Sequence, residues 1–113
     1  MSIAQVWTTD DLRALIQTHG RVVVLFSSPR IPSFSLMRGE LEIYSRQYRN
    51  VKFMWVDVDS TPFVMLEYDI PRLPVFKFFE GGMDAGYKVE CNIHGLDYAM
   101  RRLTKQGSSI FTA

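Results

Sequence analysis

Residues 22–34, VVVLFSSPRIPSF, contain a strand, a short loop and the start of a helix in immediate succession. Val22 to Phe26 is continuously apolar and rich in β-branched side chains, which is typical of a strand covered on both faces of a sheet. From Ser33 to Tyr48, apolar side chains recur at helical spacing among charged ones, and Ser33 or Ser35 is suited to cap that helix. A buried strand that leads through a short loop into an amphipathic helix indicates an α/β domain.

The rest of the chain alternates strands and helices around this unit. Proline, glycine and capping residues mark where most of these elements begin and end. The predicted elements are a short edge strand over 4–7, a helix from Thr8 or Thr9 to Gly20, a strand over 51–58, a short helix opened by 60–62, strands over 75–79 and 87–91, and a last helix over 96–103. In the final hairpin, residues 83–86 are expected to lengthen the connection, and residues 106–113 are expected to form a flexible tail. This order predicts a mixed central sheet of four to five strands with helices on both faces.

Length and composition limit the classes of function that this chain can have. The 113 residues suit one domain, and 47% hydrophobic residues are enough to build a core. A formal charge of +1 offers no strong field for nucleic acid or an anionic membrane, and no apolar run approaches the roughly 20 residues of a bilayer span. Cys91 is the single cysteine, so no internal disulfide is available, which fits a reducing compartment. We expect a cytoplasmic protein, or an organellar one if a targeting segment was removed.

The order of elements and two local motifs resemble the thioredoxin family over nearly the whole chain. Thioredoxins have Trp-Cys-Gly-Pro-Cys between the first core strand and its helix, where this chain has Arg30-Ile31-Pro32-Ser33-Phe34. The segment Ile70-Pro71-Arg72-Leu73-Pro74-Val75 resembles the family motif that ends in a cis-proline, which places Pro74 at the cis position. The resemblance implies a thioredoxin-like domain over residues 1–105.

Four positions of the family's redox site hold apolar residues in this chain. The resemblance places Ile31 and Phe34 at the two cysteines, Leu25 at the buried carboxylate, and Trp55 at the lysine often found near it. A dithiol enzyme needs a thiolate at a helix N-terminus and a second thiol to resolve the mixed disulfide. The resemblance therefore implies a redox-inactive member with no catalytic residue and no cofactor, which we interpret as a natural pseudoenzyme.

A contact surface is predicted where the redox site would be. In the family, backbone groups of the residue before the cis-proline pair with an extended peptide, and Leu73 has that position here. Exposed Ile31 and Phe34 beside Leu73 would form an apolar patch of the kind that marks contact sites. The predicted binding residues are Arg30, Ile31, Pro32, Ser33, Phe34, Leu73 and Pro74. They suggest an adaptor or complex subunit that binds a protein partner or an extended peptide, not nucleic acid or membrane.

Three alternatives stay open on the sequence alone. The replacements at 31 and 34 can equally be space-filling, with Pro74 serving only the entry of its strand. Cys91 could support a thiol-disulfide or glutathione-linked oxidoreductase, although a packed, inert thiol is the ordinary expectation for a lone cysteine. The apolar patch could also meet its own copy in a homodimer.

No metal site is predicted. His19 and His94 are far apart in sequence and stand next to predicted helix ends, where solvated or capping histidines are ordinary. Asp57 and Asp59 follow a strand at a spacing of two, and closing the strand and capping the next helix explains them. The arginines of the second and last helices are diluted by glutamates, which favours a solvated surface.

Overall fold

A five-stranded mixed sheet forms the centre of the molecule in a computed structural model of the chain. The structure describes residues 3–90 and 93–112, and the side chains of residues 3–90 and 94–104. The strands lie in the order β1-β3-β2-β4-β5. Their bounds are Ala4–Val6 for β1, Arg21–Ser27 for β2, Lys52–Asp57 for β3, Val75–Glu80 for β4 and Met83–Glu90 for β5. The first three are parallel to one another, and β4 and β5 are antiparallel to their neighbours, so the predicted α/β mixed sheet is confirmed.

The central strand β2 separates two apolar layers. Val22 to Phe26 are buried without exception, as the continuous apolar run predicted. Val23 and Leu25 point into one core, and Val22, Val24 and Phe26 point into the other. Because side chains alternate along a strand, β2 contributes to both cores and fixes the sheet between them.

Four helices cover these two layers. Their bounds are Thr9–Thr18 for α1, Phe34–Gln47 for α2, Phe63–Glu67 for α3 and Ile93–Thr112 for α4. Helices α2 and α4 pack on the Leu25 face, and α1 and α3 pack on the Phe26 face. Of the two threonines predicted to begin α1, Thr8 is the cap, and its hydroxyl accepts a hydrogen bond from the N–H of Asp11 at 3.0 Å. Among the described residues, no helix is long and apolar enough to cross a membrane.

The start of α2 differs from the predicted cap. Ser33 precedes the helix, but its side chain makes no capping hydrogen bond, because its backbone is already helical, with φ −82° and ψ −1°. A capping side chain reaches the next amide groups from an extended backbone, which Ser33 does not have.

The last helix is tied to α2 and is longer than predicted. Tyr44 donates a hydrogen bond to Asp97 at 3.2 Å across the two helices. Burial, followed by the charge of Asp97, raises the pKa of Tyr44 to about 12. The helical backbone continues to Thr112, beyond the predicted end at 103. The side chains of 105–112 and residue 113 lie outside the described part of the chain, and the flexible tail over 106–113 stays a prediction.

The final hairpin corrects the predicted connection. Strand β5 begins at Met83, which pairs with Glu80, so only Gly81 and Gly82 form the turn. Both glycines have positive φ, 62° and 84°, as a two-residue turn between antiparallel strands requires. Gly86, with φ 93°, lies within β5 where the register shifts between Lys77 and Phe79. The sequence pattern placed this glycine in a loop because a bulge and a turn both favour the left-handed region.

Lys77 is a buried cation in the middle of β4. Its ammonium group contacts the Asp84 carboxylate at 2.8 Å and donates to the carbonyl oxygen of Tyr68 at 2.9 Å. Asp84 also accepts a hydrogen bond from the N–H of Gly86 at 2.8 Å. One lysine thus joins the bulged strand β5 to the segment that follows α3. Burial acts to raise the pKa of Asp84, but the bonds from Lys77 and Gly86 outweigh it and lower that pKa below its ordinary value of 3.8.

We expect the Asp84 ion pair to stabilise the fold at neutral pH and to lose that effect in acid. Because the folded-state pKa is lowered, its contribution is present above 3.8 and disappears as the pH falls through the folded-state value. Urea unfolding of the wild type and of Asp84→Asn should therefore differ at neutral pH and converge below that window. A difference of equal size at both pH values would contradict this assignment.

Candidate functional site

The loop between β2 and α2 is held by its own backbone. The N–H of Ile31 donates to the carbonyl of Ser28 at 2.9 Å, and the N–H of Phe34 donates to the carbonyl of Ile31 at 2.9 Å. A further bond from Met37 to the carbonyl of Ser33, also 2.9 Å, begins α2. These successive turns give residues 31–34 a fixed conformation before any partner is bound.

Beneath this loop, an aromatic pair fills the interior. The ring of Phe34 lies 4.7 Å from the ring of Trp55, centre to centre, at an angle of 58°. Phe34 is 8% exposed and Trp55 is 7% exposed. Leu25, the register partner of Trp55 on the adjacent strand, belongs to the same core and is fully buried. We call Leu25, Phe34 and Trp55 the apolar triad. Tilted aromatic pairs of this kind add about 0.5–1.5 kcal/mol beyond the burial of their area.

The outer side of the loop is fixed by an ion pair. Arg30 donates to both carboxylate oxygens of Asp59, at 2.8 and 3.3 Å, and the hydroxyl of Ser28 donates to the same carboxylate. Hydrogen bonds from Arg30 and then from Ser28 lower the pKa of Asp59. The pair is exposed, so it adds little stability. Its geometry joins the loop after β2 to the loop after β3.

The segment before β4 lies beside this loop. Phe26 pairs with Val75 in the antiparallel register of β2 and β4, so Ser27 stands level with Pro74. The Leu73–Pro74 peptide bond is cis, the isomer that the family resemblance implies. Neither backbone group of Leu73 is hydrogen-bonded to another residue that the structure describes. The fully buried hydroxyl of Ser27 likewise has no partner there.

The predicted binding residues share one end of the sheet, but they differ in exposure. Arg30 and Pro32 are exposed, Ile31, Ser33 and Leu73 are half-buried, and Phe34 and Pro74 are buried. The expectation of an exposed Phe34 is therefore wrong. Its position in α2 explains this, because Phe34, Met37, Leu41 and Tyr44 recur at helical spacing along the buried face. Leu73 packs its side chain against the opposite core.

The sequence reasoning missed the Arg30–Asp59 pair. The two residues are 29 positions apart, and the sequence predicts that Asp57 and Asp59 close the strand and cap the next helix. Asp57 closes the strand, accepting bonds from the N–H of Asp59 and the hydroxyl of Ser60. The predicted cap is wrong, because α3 begins after Pro62 with no side-chain capping bond. The strand order could have indicated the Arg30–Asp59 pair, because β2 and β3 are parallel and the loops that follow them leave the sheet at the same edge.

The loop lacks both thiols of a dithiol site. No sulfur lies at positions 31 or 34, since Cys91 is the only cysteine of the chain. Cys91 itself lies outside the described residues. Within the part of the chain that the structure describes, no group of three His, Cys, Asp or Glu side chains is placed to hold a metal ion. What the site offers is exposed apolar surface, a fixed arginine and the free backbone groups of Leu73.

Comparison with known proteins gives one consistent result. A family model described as thioredoxin matches residues 4–100. Thioredoxin H8 of Arabidopsis thaliana is 27% identical over 100 residues, which cover 88% of this chain and 66% of that relative. The thioredoxin of Homo sapiens is 30% identical over 82 residues, covering 73% of this chain and 78% of the relative.

Solved structures are similar over nearly the whole chain. Mitochondrial thioredoxin 3 of Saccharomyces cerevisiae superposes with a TM-score of 0.83 at 24% identity, covering 89% of this chain and 95% of that one. The thioredoxin of Trypanosoma brucei brucei superposes with a TM-score of 0.84 at 20% identity, covering 93% of both chains. At these identities the structural likeness establishes the fold.

We expect Phe34→Ala to destabilise the fold by about 3–5 kcal/mol, because it empties the space against Trp55 and Leu25. Ser35→Ala, at the exposed next position, is the matched control and should change the free energy of unfolding by less than about 0.5 kcal/mol. Urea unfolding measures both. A Phe34→Ala protein as stable as the wild type would contradict the burial of this ring.

Proposed function

The chain belongs to the thioredoxin family, and we propose that it is a redox-inactive member that binds protein partners or extended peptides at the loop before α2. The observation that carries the proposal is the apolar triad. Phe34 and Trp55 pack together where the resemblance places the second thiol and the lysine, and Leu25 lies beside them where it places the carboxylate. A site of this composition can bind, but it cannot form a mixed disulfide and resolve it.

The surface above the triad supports binding through two kinds of contact. Ile31 and Pro32 present apolar surface on a loop fixed by backbone bonds and by the Arg30–Asp59 pair. Leu73 presents an N–H and a carbonyl without partners among the described residues, next to a cis-proline. Pairing these groups with an extended chain is the strand-addition mode of peptide recognition, in which main-chain bonds give affinity and side-chain pockets give specificity.

Preorganisation favours this use of the loop. The backbone turns over 28–34 hold the loop before a partner arrives, so less conformational entropy is lost on binding. Arg30 still has most of its side chain exposed, 67%, which leaves it available to a partner's carboxylate or carbonyl groups. An adaptor or complex subunit is the role that fits a rigid binding surface without chemistry.

We expect no insulin reduction by this protein in the presence of thioredoxin reductase and NADPH, because positions 31 and 34 carry no thiol. A thioredoxin with both motif cysteines serves as the positive control. Cys91→Ser should give the same background rate as the wild type. Turnover by the wild type that Cys91→Ser abolishes would establish an oxidoreductase and overturn the proposal.

We expect Ile31→Asp to remove partners that the wild type retains in affinity purification followed by mass spectrometry, because a buried, unpaired carboxylate opposes an apolar contact. Ile43→Asp is the matched control, since Ile43 is an exposed isoleucine further along α2. Partners lost only with Ile31→Asp support the loop as the contact surface. Equal recovery by both variants would place the contact elsewhere.

A further inference from the structure

Exposed apolar side chains also stand just after β1 and on α3. Trp7, Phe63 and Leu66 are large apolar residues with 61%, 77% and 84% of their surface exposed. We call these three residues the Trp7 patch. They contribute little to either core, so packing within the domain does not explain them. Large exposed apolar groups that cluster are characteristic of contact sites, whereas isolated ones are ordinary.

The topology brings the three residues of the Trp7 patch together. Strands β1 and β3 are parallel neighbours, so Trp7, after β1, and α3, after β3, emerge at the same edge of the sheet. The hydroxyl of Thr61 donates to the carbonyl oxygen of Trp7 at 3.0 Å, which fixes Trp7 beside the start of α3. Phe63 and Leu66 are three residues apart on that helix and share one face.

Acidic residues stand next to the Trp7 patch along the chain, and we call them the acidic rim. Asp10 and Asp11 begin α1 just after Trp7, Glu67 follows Leu66, and Asp59 precedes α3. The cations beside them are Arg13 and Arg30. Arg13 contacts Asp10 at 2.9 Å and Glu67 at 2.6 Å, and Arg30 contacts Asp59 at 2.8 Å. Four carboxylates against two guanidinium groups give this rim a formal charge of −2, in a chain whose total is +1.

We propose that the Trp7 patch binds a basic amphipathic segment of a partner protein, with its apolar side chains on Trp7, Phe63 and Leu66 and its Lys or Arg side chains over the acidic rim. Charge complementarity selects this occupant. An anionic membrane would be repelled by the rim, and a second copy of the chain docking patch to patch would bring two acidic rims together. The proposal is independent of peptide binding at the loop before α2.

Trp7 supplies the signal for the test. It is exposed, while Trp55, the other tryptophan, is buried, so quenching of fluorescence by acrylamide reports mainly on Trp7. The probe is a synthetic helical peptide of about 18 residues with a leucine face flanked by lysines, paired with a twin in which glutamates replace the lysines. The basic peptide should protect Trp7 from quenching and shift its emission to shorter wavelength, and the acidic twin should do neither. Raising the salt from about 0.05 to 0.5 M should weaken the effect.

Variants within and outside the Trp7 patch locate the contact. Phe63→Ser and Leu66→Ser should each weaken binding of the basic peptide about tenfold or more, because each removes a large buried side chain from the complex. Leu36→Ser and Ile43→Ser, which remove exposed apolar side chains of α2, are the matched controls and should leave the affinity unchanged. Unfolding curves for all four variants confirm that each is folded.

Several outcomes would overturn the proposal. If the basic peptide and its acidic twin bind equally well, the Trp7 patch does not select a basic segment. If Phe63→Ser and Leu66→Ser both leave the affinity unchanged, the basic peptide does not bind at the Trp7 patch. A response of Trp7 to phosphatidylserine vesicles with none to the basic peptide makes it a membrane contact. A mass in light scattering that rises with concentration, and that Leu66→Ser returns to the monomer value, makes it a self-association surface.

Discussion

The contact between Phe34 and Trp55 fills the interior at the end of the sheet where the family resemblance places a redox site. Both rings lie in the core beneath the loop that leads into α2, and Leu25 completes the apolar surface on the neighbouring strand. A carboxylate or an ammonium group at these positions would have to be desolvated, and such groups persist in protein interiors mainly where function needs them. Apolar replacements remove that cost and fill the space. The triad therefore gains packing at a place where an active dithiol site carries polar groups.

The interior charge of this chain lies elsewhere, on β4. Lys77 is buried on the face opposite the apolar triad, and Asp84 and the carbonyl oxygen of Tyr68 satisfy it. Its role is architectural, since it links a bulged strand to the segment after α3. A buried ammonium group with two oxygen partners is costly to disrupt, because removing a partner leaves a charge without compensation.

The sequence was informative where a periodic pattern decides the structure and weak where distant residues meet. The uninterrupted apolar run of β2, the threonine pair before α1 and the family motif around Pro74 predicted the sheet, the start of the first helix and the cis peptide bond. The burial of Phe34 was readable from its spacing to Met37 and Leu41, yet its alignment with a surface motif suggested exposure. The Arg30–Asp59 pair and the partners of Lys77 depend on strand register, which one sequence does not specify. Gly86 was predicted in a loop and lies in a bulged strand, because turns and bulges both favour a residue that can adopt a positive φ.

Both margins of the sheet are poor templates for another strand. On one side β1 has only three residues, and on the other the bulge at Gly86 bends β5, which also carries Lys88 and Glu90 on exposed positions. Short edges, bulges and edge charges are the devices by which sheet proteins resist edge-to-edge aggregation. The domain can therefore display apolar side chains at its loops and helices without offering its backbone ladder to fibril growth.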